Sequence, residues 1–163
     1  ATHRVGFDMR YIRLILGVVG GCAAVVLVAV VMFEFLRAAW PAYAAAEPLK
    51  AYSLDMLLAR LAIGVISGLS AGGVATLVAG DRGRAAVLVG AVFLAISLRP
   101  HLVTGWSDYP VWYHVVYLSY IIPVAYLGGY LTRSVTERLL GRQIARRAPG
   151  RKPTRGPDQS NLL

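Results

Sequence analysis

The sequence is poor in the residues that build disulfides and metal centres. Cys22 is the only cysteine among 163 residues, and there are three histidines. That excludes an internal disulfide and any cysteine-based zinc or iron–sulfur site. Cys22 stands inside an apolar run and is read as a small core residue rather than a reactive thiol. Acidic residues are also scarce, eight against seventeen basic ones, for a net charge of +9. No P-loop, H-E-x-x-H helix or dinucleotide fingerprint occurs. Charged residues make up only 15% of the chain and hydrophobic ones 57%, where a soluble domain carries about 25% charged residues.

What the chain does have is four long apolar runs. The most informative is Leu61–Gly80, twenty residues without a charge, about 30 Å of helix and the thickness of a bilayer core. Gly64, Gly68 and Gly72 recur there every fourth residue, so they share one face, which Ser67, Ala71 and Gly73 widen. In water such a helix would be weakened by about 1 kcal/mol per glycine. In lipid the backbone keeps its own hydrogen bonds, and the glycines admit a close neighbour. These three are the expected helix-packing residues.

The expected fold is therefore all-α: a polytopic membrane protein built as a four-transmembrane-helix bundle, with helices at about 14–36, 54–80, 84–99 and 110–132. A short basic segment, 1–13, precedes them and a basic tail, 133–163, follows. Ala1-Thr2-His3-Arg4 lacks the cleavage pattern of a signal peptide, and the first apolar run is too long for an h-region. The expectation is an intact chain with its initiator methionine trimmed. Trp40-Pro41 and Glu47-Pro48 bracket an Ala-rich loop, Asp81–Arg84 forms a tight turn, and 100–108 is a loop holding His101 and Trp106.

Four helices put both termini and the Asp81–Arg84 turn on one side. That side holds every basic residue except Arg37, Lys50, Arg60 and Arg99. The positive-inside rule makes it cytoplasmic, and Trp40, Trp106 and Trp112 fall towards the opposite face as an interfacial belt. The basic surplus thus reads as a topology signal and not as nucleic-acid binding. The expected location is a bacterial inner membrane, crossed several times.

Depth along the helices suggests a polar layer of Glu34, Arg60, Arg99 and His114. Arg84 to Arg99 is fifteen residues, about 22 Å, against about 31 Å from Arg13 to Glu34. Arg99 should then lie below the outer boundary and take a carboxylate, Glu34 first and Asp108 second, because unpaired charge in hydrocarbon is costly. The layer reads as a register-fixing ion pair, with a proton or ion path through Glu34 and His114 as the sharper alternative. Tyr113, Tyr117 and Tyr120 follow helical spacing, and Tyr126 and Tyr130 form a second pair. They are expected to pack on glycine-rich backbone and send hydroxyls to carbonyls, with a quinone or a polar passage as the functional alternative. His114 is also a candidate ligand for haem or a chlorophyll-type pigment, with no second histidine at a matching position. Gly68-Leu69-Ser70-Ala71-Gly72 fits G-x-S-x-G, but that motif requires a strand–turn–helix setting and is set aside. The tail residues Arg142, Arg146, Arg147, Arg151, Lys152 and Arg155 are expected to meet anionic lipid or a partner surface.

At Tyr43-Ala44-Ala45-Ala46-Glu47-Pro48, Met56-Leu57-Leu58-Ala59-Arg60-Leu61 and Pro110-Val111-Trp112-Tyr113-His114 the chain resembles a group of short four-helix bacterial inner-membrane proteins of unassigned function. The resemblance spans roughly residues 33 to 131, includes His101, and implies a fold and a membrane but no catalytic residue. The expected function is a non-catalytic accessory or structural subunit of a larger inner-membrane complex, or a homo-oligomer. Its partners would be other integral subunits or itself, with lipid but no metal or dedicated cofactor. The alternative is a small transporter or proton conductor using Glu34, Arg99 and His114.

Overall fold

The computed structural model describes residues 2–81 and 83–147, and side chains within 9–81 and 83–143. It is about 90% helical and has no strand among the described residues. Four helical spans are long and apolar enough to cross a membrane: α1 (Thr2–Ala39), α3 (Leu54–Ala79), α4 (Arg84–Arg99) taken with the turn that follows it, and α5 (Val111–Arg147). A short α2 (Pro41–Ala46) joins the first two. The chain divides into two compact units, Ala1–Arg133 and Ser134–Leu163. The first contains the bundle. In the second the described side chains, to residue 143, are mostly exposed, Arg142 among them. Arg151, Lys152 and Arg155, named above as tail contacts, lie outside the described residues, as do the side chains of Arg146 and Arg147.

Local chemistry accounts for the element ends. The segment before residue 14 holds no helix breaker stronger than Gly6, so α1 begins at Thr2 instead of near Leu14. The Ala-rich stretch is not a plain loop. Pro41 at the first helical position gives up no needed N–H, and alanines propagate the turn into α2. Ser53 caps α3, its hydroxyl accepting from the Met56 N–H at 3.4 Å. Gly80 ends α3 at φ 64, a left-handed conformation that glycine takes without strain. Asp81 then accepts from the N–H groups of Gly83 and Ala85 (2.9 and 2.8 Å), which starts α4.

Beyond α4 the chain does not enter a loop at once. Pro100–Thr104 makes a wide π-type turn, closed by the Gly105 N–H donating to the Pro100 carbonyl at 2.8 Å, and a single 3₁₀ turn, Trp106–Asp108, follows. The turn lengthens the apolar span to Arg84–Thr104, 21 residues.

The small residues set the packing. α3 lies against each of the other three long helices. On one side Gly17 and Gly21 of α1 meet the backbone oxygens of Ala75 and Ala71; a Cβ at either would lie 2.7 or 2.9 Å from them. On the other side Gly72 faces the Ala125 carbonyl of α5, and Gly128 of α5 faces the Leu69 carbonyl, with no room for a Cβ at either. Backbone contact this close is what small residues permit between apolar helices. Gly68 faces Val124, and Gly64 leaves space for the Tyr120 ring, whose hydroxyl donates to the Leu61 carbonyl at 3.3 Å. The face of Gly64, Gly68 and Gly72 is thus covered within the bundle. Outward-facing positions of α1, such as Ile15, Val19, Leu27 and Phe35, are exposed branched or aromatic residues.

Candidate functional site

At the tryptophan end of the bundle, charged side chains from α1, the C-cap of α2 and α3 form one chain. Arg37 donates to Glu34 one turn back (2.7 Å) and to both oxygens of Glu47 (2.6 and 3.1 Å). Glu47 in turn lies 3.5 Å from Arg60. Two carboxylates and two guanidiniums are joined, so their charges cancel. The hydrogen bonds from Arg37 hold the Glu47 carboxyl below its ordinary range against a smaller opposing effect of burial. Lys50 pairs separately with Asp108.

The polar layer expected from sequence is corrected here. Arg99 is exposed and, among the described residues, has no ion pair with Glu34 or Asp108. Glu34 is satisfied by Arg37 at helical spacing, which needs no reach between helices, and Asp108 is taken by Lys50. The π-type turn supplies the length that α4 alone lacks, so nothing obliges Arg99 to enter the bundle. Glu34, Arg60 and His114 remain at this end, in two different clusters.

Arg60 is the centre of the first. Its Nη1 donates to the hydroxyls of Tyr43 (2.5 Å) and Tyr52 (3.3 Å), and its Nη2 to that of Tyr109 (3.2 Å). The guanidinium also lies over the rings of Phe33, Tyr52 and Tyr109 at 5.0, 4.9 and 5.6 Å, distances at which a ring face attracts a cation. Burial pushes the Tyr43 and Tyr52 hydroxyls up from their ordinary range, against the pull of Arg60, so both stay neutral. The Arg60 Nε is buried and has no hydrogen-bond partner among the described residues.

The second cluster is a histidine pair. His114 is 1% exposed. Its Nδ1 lies 2.9 Å from the Nδ1 of His101, and its Nε2 lies 3.3 Å from the Trp106 carbonyl. A carbonyl only accepts, so His114 Nε2 carries a proton and donates. In the neutral ring its Nδ1 then accepts from His101 Nδ1–H. The Trp106 indole stacks on His114 at 5.0 Å, and His101 stacks on Tyr117 at 4.3 Å.

Between the two clusters and the helices lies a cavity of about 190 Å³. Arg60, His101, Tyr109, Tyr113 and Tyr117 wall its polar end, and Ile63, Ala71, Val89 and Phe93 its apolar remainder. Ser67, 2% exposed, lines it too, and its hydroxyl has no hydrogen-bond partner among the described residues. Ser70, three residues on, shows the usual solution, donating back to the Ile66 carbonyl at 2.9 Å. A third unpartnered group, the Thr76 hydroxyl, lies by Gly129 and away from the cavity wall.

Comparison with protein-family models, curated proteins and solved structures finds no match. The site is therefore read from its own chemistry. Among the described residues no group of three or more His, Cys, Asp and Glu could hold a metal ion. His101, which the sequence places in a loop without a role, is the residue that the structure brings onto His114, and the signal for it is a setting of Trp and Tyr neighbours like that of His114.

Proposed function

We propose that the chain is a multi-pass protein of a bacterial inner membrane, with both termini cytoplasmic, that serves as a ligand-holding accessory subunit without chemistry of its own. The observation that carries this reading is the cavity inside the bundle, polar where Arg60, His101, Tyr109, Tyr113 and Tyr117 meet and apolar elsewhere. A concave, mostly apolar site with a few convergent polar groups is the usual form of a ligand pocket. The charge asymmetry and the tryptophan belt support the orientation. A partner surface is more readily found on α1 than on α3, whose small face is used within the bundle.

Purification from native membranes in mild detergent tests it. Native mass spectrometry should show one non-protein mass per chain and other membrane proteins at fixed stoichiometry. A bare chain, or one that conducts protons when reconstituted into liposomes, overturns the reading; the second outcome would favour transport through the His101–His114 pair.

A further inference from the structure

We infer that a groove at the Asp81 end of the bundle, the cytoplasmic one in the orientation proposed above, holds the phosphate of one anionic phospholipid. Arg10 and Arg13 of α1 and Arg84 of α4 would clasp it. The inference rests on the multi-pass reading and is independent of what fills the cavity.

The groove follows from unequal helix lengths. α1 and α3 run antiparallel, Gly21 meeting Ala71 and Ala75, and Gly17 meeting Ala75 and Ala79. Ala79 is the last helical residue of α3, and Gly80 turns the chain away at φ 64, while α1 runs on to Thr2. The face of α1 that carries Gly17 therefore loses its cover at this point. Leu14, Arg13 and Arg10 precede Gly17 by three, four and seven residues, the spacing of neighbours on one side of a helix. Together with Ala79, Gly80, Asp81 and Arg84 they wall a groove of about 700 Å³.

Its charge is one-sided. At the tryptophan end Arg37, Lys50 and Arg60 each meet a carboxylate. Arg10, Arg13 and Arg84 are exposed and, among the described residues, have no ion pair. Asp81, the carboxylate in the wall, is committed elsewhere, its two oxygens accepting from the N–H groups of Gly83 and Ala85. Three guanidiniums against one carboxylate leave two positive charges. The planar fork of a guanidinium matches a pair of phosphate oxygens.

Depth selects the lipid. Arg13 is the last charge before Leu14–Phe33, twenty uncharged residues, and Arg84 opens the span Arg84–Thr104. Both therefore stand at headgroup level, where basic pockets between helices take anionic headgroups. Exposed Ile15 and Val19 continue α1 into the apolar layer, beside which the acyl chains of a lipid held at Arg13 would lie. A soluble phosphate ester has no apolar part to match them.

The probe is phosphatidylglycerol, titrated into the delipidated full-length protein in detergent and followed by native mass spectrometry. Phosphatidylcholine, whose phosphate carries its own compensating cation, and glycerol phosphate are the comparisons. One phosphatidylglycerol should stay bound per chain, displaced by neither. Arg13→Gln and Arg84→Gln should each weaken it about fivefold, and together about thirtyfold. Arg138→Gln, which removes the same charge from an exposed position of α5, should leave it unchanged. Without lipid all these variants should melt like wild type, and added phosphatidylglycerol should raise the melting temperature of wild type but not of the double variant. Equal binding of phosphatidylcholine, or equal weakening by Arg138→Gln, overturns the groove as an anion site. Displacement by glycerol phosphate overturns the lipid as its source. A chain recovered from cells without detergent overturns the multi-pass reading itself, whereas one that needs detergent but retains no phosphatidylglycerol overturns the groove alone.

Discussion

Gly72→Ala adds a single methyl where α3 and α5 touch. The new carbon would overlap the Ala125 carbonyl oxygen and lie 3.0 Å from the Ala125 Cα. Non-bonded carbons settle at about 3.5–4.0 Å, so the helices must part by about half an ångström or more. A side chain could rotate away, but the obstruction is backbone, and the whole seam moves with it. A gap of about 0.5–1 Å forfeits a quarter to a half of each contact's dispersion energy. Gly68 against Val124 and Gly128 against Leu69 share that loss. Overpacking costs about 1–3 kcal/mol, and this site belongs at the upper end. Gly20→Ala is the control, since its added carbon would sit 3.6 Å from Val74, an ordinary contact, and should change stability by less than about 0.5 kcal/mol. Thermal unfolding of both variants in one detergent, followed by helical circular dichroism, gives the comparison. A Gly72→Ala protein as stable as wild type, or a Gly20→Ala protein equally damaged, refutes the account of the seam.

Two further outcomes follow from the tryptophan end and the charge distribution. Glu47 has its carboxyl pKa depressed by Arg37, so its contribution to stability is present above the unfolded carboxylate value of about 4.3 and disappears as pH falls through the lower folded value. Glu47→Gln should lose about 1.5 kcal/mol at neutral pH, the low end for a charged hydrogen bond because the pair is partly exposed, and should show a flatter melting profile below pH 4.3; an unchanged acid limb counts against the Arg37–Glu47 lock. In a Cys22-free background, a cysteine at position 106 should react with an impermeant reagent added outside intact cells, and one at position 142 only after lysis; the reverse pattern overturns the orientation.

Much of the bundle is legible in the residues because spanning helices repeat one simple demand along their length. The run ending at Gly80 and the Asp81 turn are visible as a glycine followed by a capping carboxylate, and α3 and α4 have the expected starts. The glycine period marks a face to be covered, though not which helix covers it. A residue count puts Arg99 too deep because it assumes that α4 stops at Pro100, whereas the chain continues in a wider turn whose i→i+5 bond does not need the proline N–H. The site itself is nearly illegible for a different reason. Tyr43 and Tyr52 converge on Arg60 from the connection between α1 and α3, and Tyr109 from the one between α4 and α5, and no periodicity links residues brought together in this way. His101 and His114 are thirteen apart, and only the turn at Pro100–Thr104 folds one onto the other.

The balanced chain Glu34–Arg37–Glu47–Arg60 has an electrical consequence. A unit charge crossing a membrane potential gains or loses about 2.3 kcal/mol per 100 mV. A string of two positive and two negative groups that moves as one body has no net charge for that field to act on. In a membrane, this end of the bundle would therefore hold its place whether the cell is energised or not. Glu47→Gln would leave the Arg60 guanidinium of α3 without its carboxylate, and the field would then act on that charge.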